Sequence, residues 1–189
     1  LTLLASFAQA DNQSRRMNVK WGMQKKVHDG SSVLFKKKCY GFSVDDNGEL
    51  VINEREARVV RWIFQSYLNG NSLLSIQRQL EEAGVQSPSG KKEMGFKSID
   101  GILRNEKYYG AVCIYKTYMS DAVIPKRIIN DGDRELVWWL DHHEPIISKQ
   151  VFVDAMEERE RRSNYEVDEN GKKKRRSRRF TSTGVCIPL

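Results

Sequence analysis

Residues 72–105 read SLLSIQRQLEEAGVQSPSGKKEMGFKSIDGILRN. Ser72 opens a short helix in which Leu73, Ile76, Gln77, Leu80 and Ala83 recur at helical spacing, and Gly84 stops it. VQSPSGKKEMG is a polar loop. Phe96 to Asn105 makes another short helix with Ile99, Ile102 and Leu103 facing inward. Its other side carries Lys97, Ser98 and Arg104, and a β-rich segment follows. This is the outline of a helix-turn-helix variant with a wing, built on a connection longer than the usual three or four residues. Asp100 and Gly101 share the exposed side. Asp does not favour phosphate, but it can accept a hydrogen bond from cytosine N4.

Upstream, Asn53 with Glu56 three residues on resembles a capping box. It starts a helix over 54–68 with Val59, Val60, Ile63, Phe64 and Tyr67 on one face, stopped by Gly70. Tyr40 to Ile52 alternates weakly around Asp45-Asp46-Asn47-Gly48, a hairpin signal. Residues 1 to about 28 form one long helix, in which Leu3, Phe7, Ala10, Ser14, Met17 and Trp21 alternate spacings of four and three. At 1.5 Å per residue it spans roughly 40 Å, and its stripe needs a partner helix or surface. Downstream, 108–118, 122–129 and 136–140 are β-rich, with Asp131-Gly132-Asp133 as the turn between the last two. Ser148 caps a last helix from about 149 to 163. The fold class is α+β: a long N-terminal helix, then a small mixed domain of about four helices with short antiparallel strands and a helix-turn-helix-like core. The expected division is 1–29, 30–162, and a charged linker from 163 to 189.

Catalysis and metal binding find no support in the sequence. His28, His142 and His143 lie in no metal-ligand spacing, and there is no nucleophile elbow, P-loop or dinucleotide fingerprint. The segment 45–49 lacks the ligand pattern of a calcium loop. Three widely spaced cysteines make neither a disulfide framework nor a zinc site, which fits a reducing cytoplasm. No apolar run reaches the length of a membrane span. No cofactor, metal or catalytic residue is assigned.

The formal net charge is +7, but KKKRRSRR at 172–179 supplies all of it, since the remaining 25 basic and 25 acidic residues balance. The local clusters therefore decide. Arg15, Arg16, Lys20, Lys25 and Lys26 ride on the first helix, Lys36, Lys37 and Lys38 lie in the linker behind it, and Lys97, Ser98 and Arg104 sit on the helix described above. Those eleven residues are the candidates for contact with double-stranded DNA. Trp62, Phe64, Tyr67, Tyr108, Tyr109, Trp138 and Trp139 are expected in the core rather than as a stacking platform.

The order of these signals resembles the large serine recombinases of the resolvase/invertase superfamily. Leu4 to Ala10 is similar to the helix that leaves their catalytic domain. Tyr40-Gly41-Phe42, Asp46 to Asn53, Glu56-Ala57, Ile63-Phe64, Ser72 to Gly84, Pro88, Gly90, Ile99 to Asn105, Tyr108-Tyr109-Gly110 and Pro145 to Ser148 resemble the DNA-binding recombinase domain. Cys39 and Met94 to Lys97 depart from the pattern, where Pro and a Trp-Ser-Pro start are usual. Gly184-Val185-Cys186 resembles a first zinc ligand, but Leu189 stands where the second would fall. The resemblance implies binding to a recombination half-site within a bacterial or phage-encoded, nucleoid-associated protein of the cytoplasm. It implies a serine nucleophile in a domain other than this one, and tetramers self-associating through the N-terminal helix. Two other readings compete. One is a winged-helix transcription regulator that binds DNA without cutting it. The other is a membrane-associated polybasic tail with a lipid box at Cys186-Ile187-Pro188-Leu189.

Overall fold

A computed structural model describes residues 2–30, 32–120, 124–169 and 173–175. It contains a long helix α1 (Thr2–His28), a hairpin β1 (Phe42–Val44) and β2 (Leu50–Ile52), and helices α2 (Glu54–Leu68), α3 (Leu73–Glu82) and α4 (Phe96–Leu103). A 3-10 turn (Glu106–Tyr109) leads into β3 (Val112–Ile114), β4 (Thr117–Met119), β5 (Arg127–Ile129) and β6 (Val137–Trp139). Helix α5 (Lys149–Arg161) and the short strands β7 (Tyr165–Val167) and β8 (Lys173–Arg175) follow. The α+β expectation, with four helices after the first, is borne out.

Helices α2 to α5 enclose the main core. Three of them begin where the sequence places a cap: the Asn53 side chain accepts from the Glu56 amide in α2, Ser72 from Ser75 in α3, and Ser148 from Val151 in α5, while α4 starts at Gly95 with no side-chain cap. The expected capping box closes only by half. Glu56 Oε2 accepts from the Gly41 amide at 2.8 Å instead of reaching back to Asn53, so it ties the β hairpin to α2. Val60, Ile63, Phe64, Ile76, Ile99, Leu103 and Tyr108 are fully or almost fully buried there, and each aliphatic side chain contributes about 1.5–3 kcal/mol. The β1–β2 hairpin turns as predicted, with the Asp45 carboxylate accepting from the Asn47 and Glu49 amides.

The second β region differs from the sequence reading. Tyr108 and Tyr109 belong to the 3-10 turn rather than to a strand. Strand β5 pairs with β4, and β6 pairs with β3, so one long kinked hairpin forms from two nested ladders. Asp131-Gly132-Asp133 therefore does not join two paired strands; it lies in a side loop between them. Asn130 holds that loop with its whole amide. Its Nδ2 donates to the carbonyls of Tyr115 (2.9 Å) and Arg134 (2.7 Å), and its Oδ1 accepts from the amides of Gly132 and Arg134. We call β4, β5 and this loop the arm.

A second cluster of Val27, Phe35, Val112 and Ile114, lined by Trp139, docks the last turn of α1 onto the base of the arm. The Phe35 and Trp139 rings meet edge to face at 5.5 Å. Forward of that turn the described side chains of α1 reach solvent; Met17 and Trp21, from the expected seam, are 63% and 66% accessible. Leu3 and Phe7 of that seam have side chains outside the described set. Within 163–189, read as a linker, β7 and β8 form a three-residue ladder, while 176–189 lie outside the described residues.

His142 and His143 join the two clusters. The His142 ring stacks on Phe35 of the second cluster, and the His143 ring meets the Phe42 edge of the main core. His143 Nε2 donates to the Lys107 carbonyl at 2.7 Å, and the two Nδ1 atoms lie 3.2 Å apart, so one of them must be an unprotonated acceptor. Burial, first of all, lowers the pKa of both rings below the usual histidine value. The unfolded chain then binds protons more readily, so this stability is complete above pH about 6.5 and is lost as pH falls through the lowered values. Urea unfolding midpoints should drop between pH 7 and pH 5 and flatten in the His143→Gln variant; an unchanged slope in that variant would refute the assignment.

Candidate nucleic-acid interface

An open cleft of about 1280 Å³ separates α1 from the arm. The α1 wall presents Arg15, Arg16 and Lys20, and the linker presents Lys37 and Lys38. The arm and β3–β4 connection present Lys116, Arg127 and Arg134, and Lys107 also borders the cleft. Among the described residues that line it there is no Asp or Glu. A concave surface of one sign focuses the field on whatever anion enters it.

Not all of these cations are free. Lys107 is buried and donates from Nζ to the carbonyls of Phe35 (3.0 Å) and Lys37 (2.6 Å). Burial lowers its pKa, and its task is to pin the linker that carries Lys37 and Lys38. Lys116 pairs with buried Glu106, whose other oxygen accepts from the Cys113 amide. Arg15 pairs with Asp11 at 2.9 Å, and the Arg134 guanidinium stacks on the Tyr118 ring at 4.0 Å. Arg16, Lys20, Lys37, Lys38 and Arg127 have no ion-pair partner among the described residues, so their charge is available to a ligand.

The structure thus gathers five of the eleven candidates, Arg15, Arg16, Lys20, Lys37 and Lys38, into one cleft. Lys25, Lys26 and Lys36 do not line it. The Lys25 ammonium sits 5.6 Å from the Trp21 ring, and Lys36 is paired with Glu49. Lys97, Ser98 and Arg104 form a separate exposed patch on α4, as its apolar side predicts. Sequence reasoning missed Lys116, Arg127 and Arg134. Lys126-Arg127 within the β-rich 122–129 was the one available signal. Of the aromatics, Phe64, Tyr67 and Tyr108 are buried as expected, and Tyr109 and Trp139 are half-buried; Trp62 and Trp138 are exposed at 38% and 49%.

Among the described residues no group of His, Cys, Asp and Glu could hold a metal ion. Burial pushes the Cys39 thiol up to about 11, so at neutral pH it is a protonated, inert group. Among the described residues no helix is long and apolar enough to cross a membrane. Cys186 and Leu189 lie outside the described residues.

No curated protein matches the chain. Among solved structures, the chain is similar to one in a crystal structure of an LSR–DNA complex, with 25% identity and a TM-score of 0.48, over 68% of this chain and 34% of that one. It is similar also to a chain in a structure on the sequence requirements of the Listeria innocua prophage attP site, with 25% identity and a TM-score of 0.47, over 67% of this chain and 43% of that one. The chain therefore spans less than half the length of either. The family model named Recombinase matches residues 54–162, from the first turn of α2 to the end of α5 and more than half of the sequence; the chain belongs to the recombinase family.

Proposed function

We propose that this chain binds duplex DNA and serves as the part of a site-specific serine recombinase that holds a recombination half-site. The observation that carries the reading is the cleft between α1 and the arm, whose described lining is cationic and holds no carboxylate. Phosphates are the commonest protein contact on DNA, and they position the protein without reading sequence. In this reading the cleft grips the sugar–phosphate backbone, α4 reaches base edges, and 30–162 acts as the binding unit between the α1 helix and a charged linker. No residue of the chain is given a catalytic role. The exposed stripe of α1, with Met17 and Trp21, is where copies of the longer protein would associate.

The test is a salt titration on a mixed-sequence duplex. Each phosphate-bound cation contributes about 0.9 to the slope of log affinity against log salt. The combined changes Arg16→Gln, Lys20→Gln and Arg127→Gln, all exposed and off the core, should reduce that slope by about 3 units and weaken binding on the order of 100-fold at moderate salt. Equal slopes for the variant and the unaltered chain would remove the cleft as the DNA site.

A further inference from the structure

Helix α4 carries one arrangement that the cationic cleft does not use. Asp100 holds two guanidinium groups at once: its Oδ2 accepts from Arg104 Nη2 at 2.9 Å, and its Oδ1 accepts from Arg159 Nε of α5 at 3.0 Å. Arg104 Nε also donates to the Asp100 carbonyl at 3.3 Å. The Nε side of the Arg104 fork is thereby occupied by its own helix. Two of its five N–H donors are used, and three remain, two on Nη1 and one on Nη2. The Arg104 side chain is still half exposed, while Asp100 is only 24% accessible. Two arginines against one carboxylate leave the cluster cationic.

We infer that Asp100 is a positioning residue that aims Arg104, by its free Nη end, at a guanine edge in the major groove, with Arg159 fixing Asp100 from behind. The inference rests on the DNA-binding reading above and deepens it. A free arginine spends side-chain entropy to adopt one orientation; one clamped along its Nε edge does not, and its fork matches the paired acceptors O6 and N7 of guanine. A second observation points to close approach on the same line. Lys97, Gly101 and Arg104 follow at i, i+4 and i+7, and a Cβ at Gly101 would meet nothing within 4 Å. A helix interior disfavours glycine, and no packing contact requires it here. Its effect is to leave the helix face flat between Lys97 and Arg104, where a groove wall can approach the backbone.

The test uses the full 189-residue chain and a library of duplexes with a randomised core, sequenced after selection, alongside affinity for a mixed-sequence duplex and thermal melting. Asp100→Ala should lower the preference for G·C at one position by roughly 5- to 150-fold while affinity for mixed sequence holds or rises, because a negative charge has gone. Asp100→Asn, which keeps an acceptor for Arg159, should show the same loss with the melting temperature preserved. Arg104→Ala should erase the same preference, the double variant should add nothing, and Arg104→Lys should not restore it. Gly101→Ala should melt higher yet bind the selected duplex more weakly relative to the mixed one. A merely structural Asp100 would weaken selected and mixed duplexes by one common factor, and that result overturns the inference. So does a chain that binds through the cleft with no sequence preference. If the unaltered chain binds no duplex, the DNA-binding reading itself falls.

Discussion

Arg162→Met is expected to destabilise the fold by about 3 kcal/mol, although Arg162 lies at the end of α5 and far in sequence from what it supports. The guanidinium donates from Nη1 to the Asn71 carbonyl at 2.8 Å and from Nη2 to the Tyr67 carbonyl at 3.0 Å. It also stacks over the Tyr67 ring at 4.3 Å and pairs with Glu158. Helix ends leave carbonyls without intrahelical partners, and here α2 has the last turn of α5 as its C-terminal cap. Hydrogen bonds to a charged group contribute about 1.5–3 kcal/mol each, and partial exposure of Arg162 (24%) discounts the pair. Methionine keeps most of the aliphatic volume, so the loss reports the polar contacts. Glu158, whose pKa is held at about 2 first by Arg161 and then by Arg162, keeps Arg161 in the variant. Urea unfolding should show a lower midpoint at unchanged m, and Arg162→Lys, with no planar fork, should recover less than half. A change below about 0.5 kcal/mol, the range of ordinary surface substitutions, would mean that water caps α2 equally well.

This contact also marks a limit of sequence reading. Helices α2 and α5 were legible because their caps and apolar periodicity are local: Asn53 and Ser148 start them where the pattern begins. That Arg162 returns to Tyr67 depends on how the two helices pack, and no local pattern encodes it. The arm shows the same limit. Its ladders are three residues each, too short for alternation to declare a face, and the kink at Tyr115 with its positive φ of 67° breaks the period between β3 and β4. Lys116, Arg127 and Arg134 were therefore invisible as a wall, while Arg15, Arg16, Lys20, Lys37 and Lys38 stood out as charge runs. Charge runs in turn mislead one residue at a time. Lys36 looks identical to Lys37 and Lys38 in sequence, yet the hairpin register brings Glu49 to it. Arg104 was correctly placed on the open face of α4, but Asp100, read only as a possible acceptor for cytosine, is instead occupied by Arg104 and Arg159. The resemblance to recombinases succeeded where these single signals failed, because it rests on the order of many weak signals from Tyr40 to Ser148, and the family match over 54–162 bears it out.

Gly110→Ala is the second large effect, again about 3 kcal/mol or more. Gly110 closes the 3-10 turn with a φ of +86°, which costs an L side chain about 1–2 kcal/mol. A Cβ there would also stand 2.8 Å from the His143 carbonyl oxygen, a backbone atom. Whether that oxygen can retreat decides the size of the effect, and the hydrogen bonds say that it cannot. The Gly110 carbonyl accepts from the His142 amide at 2.9 Å, the Tyr108 carbonyl accepts from both Ile146 (2.9 Å) and Ile147 (3.0 Å), and the His143 ring is bonded to the Lys107 carbonyl. Segments 107–110 and 142–147 are thus joined on both sides of the contact, with Ile146 and Ile147 buried in the main core. Relief would have to break one of those bonds or push the histidines off Phe35 and Phe42. Overpacking of this kind costs about 1–3 kcal/mol beyond the backbone strain. Gly84→Ala supplies the control: its φ is +68°, but its Cβ would meet nothing within 4 Å, so it should lose only the strain of about 1–2 kcal/mol. Equal losses for the two variants in urea unfolding would show that the 107–110 and 142–147 segments yield; a larger loss at Gly110 would show that they act as a rigid joint between the helical core and the arm.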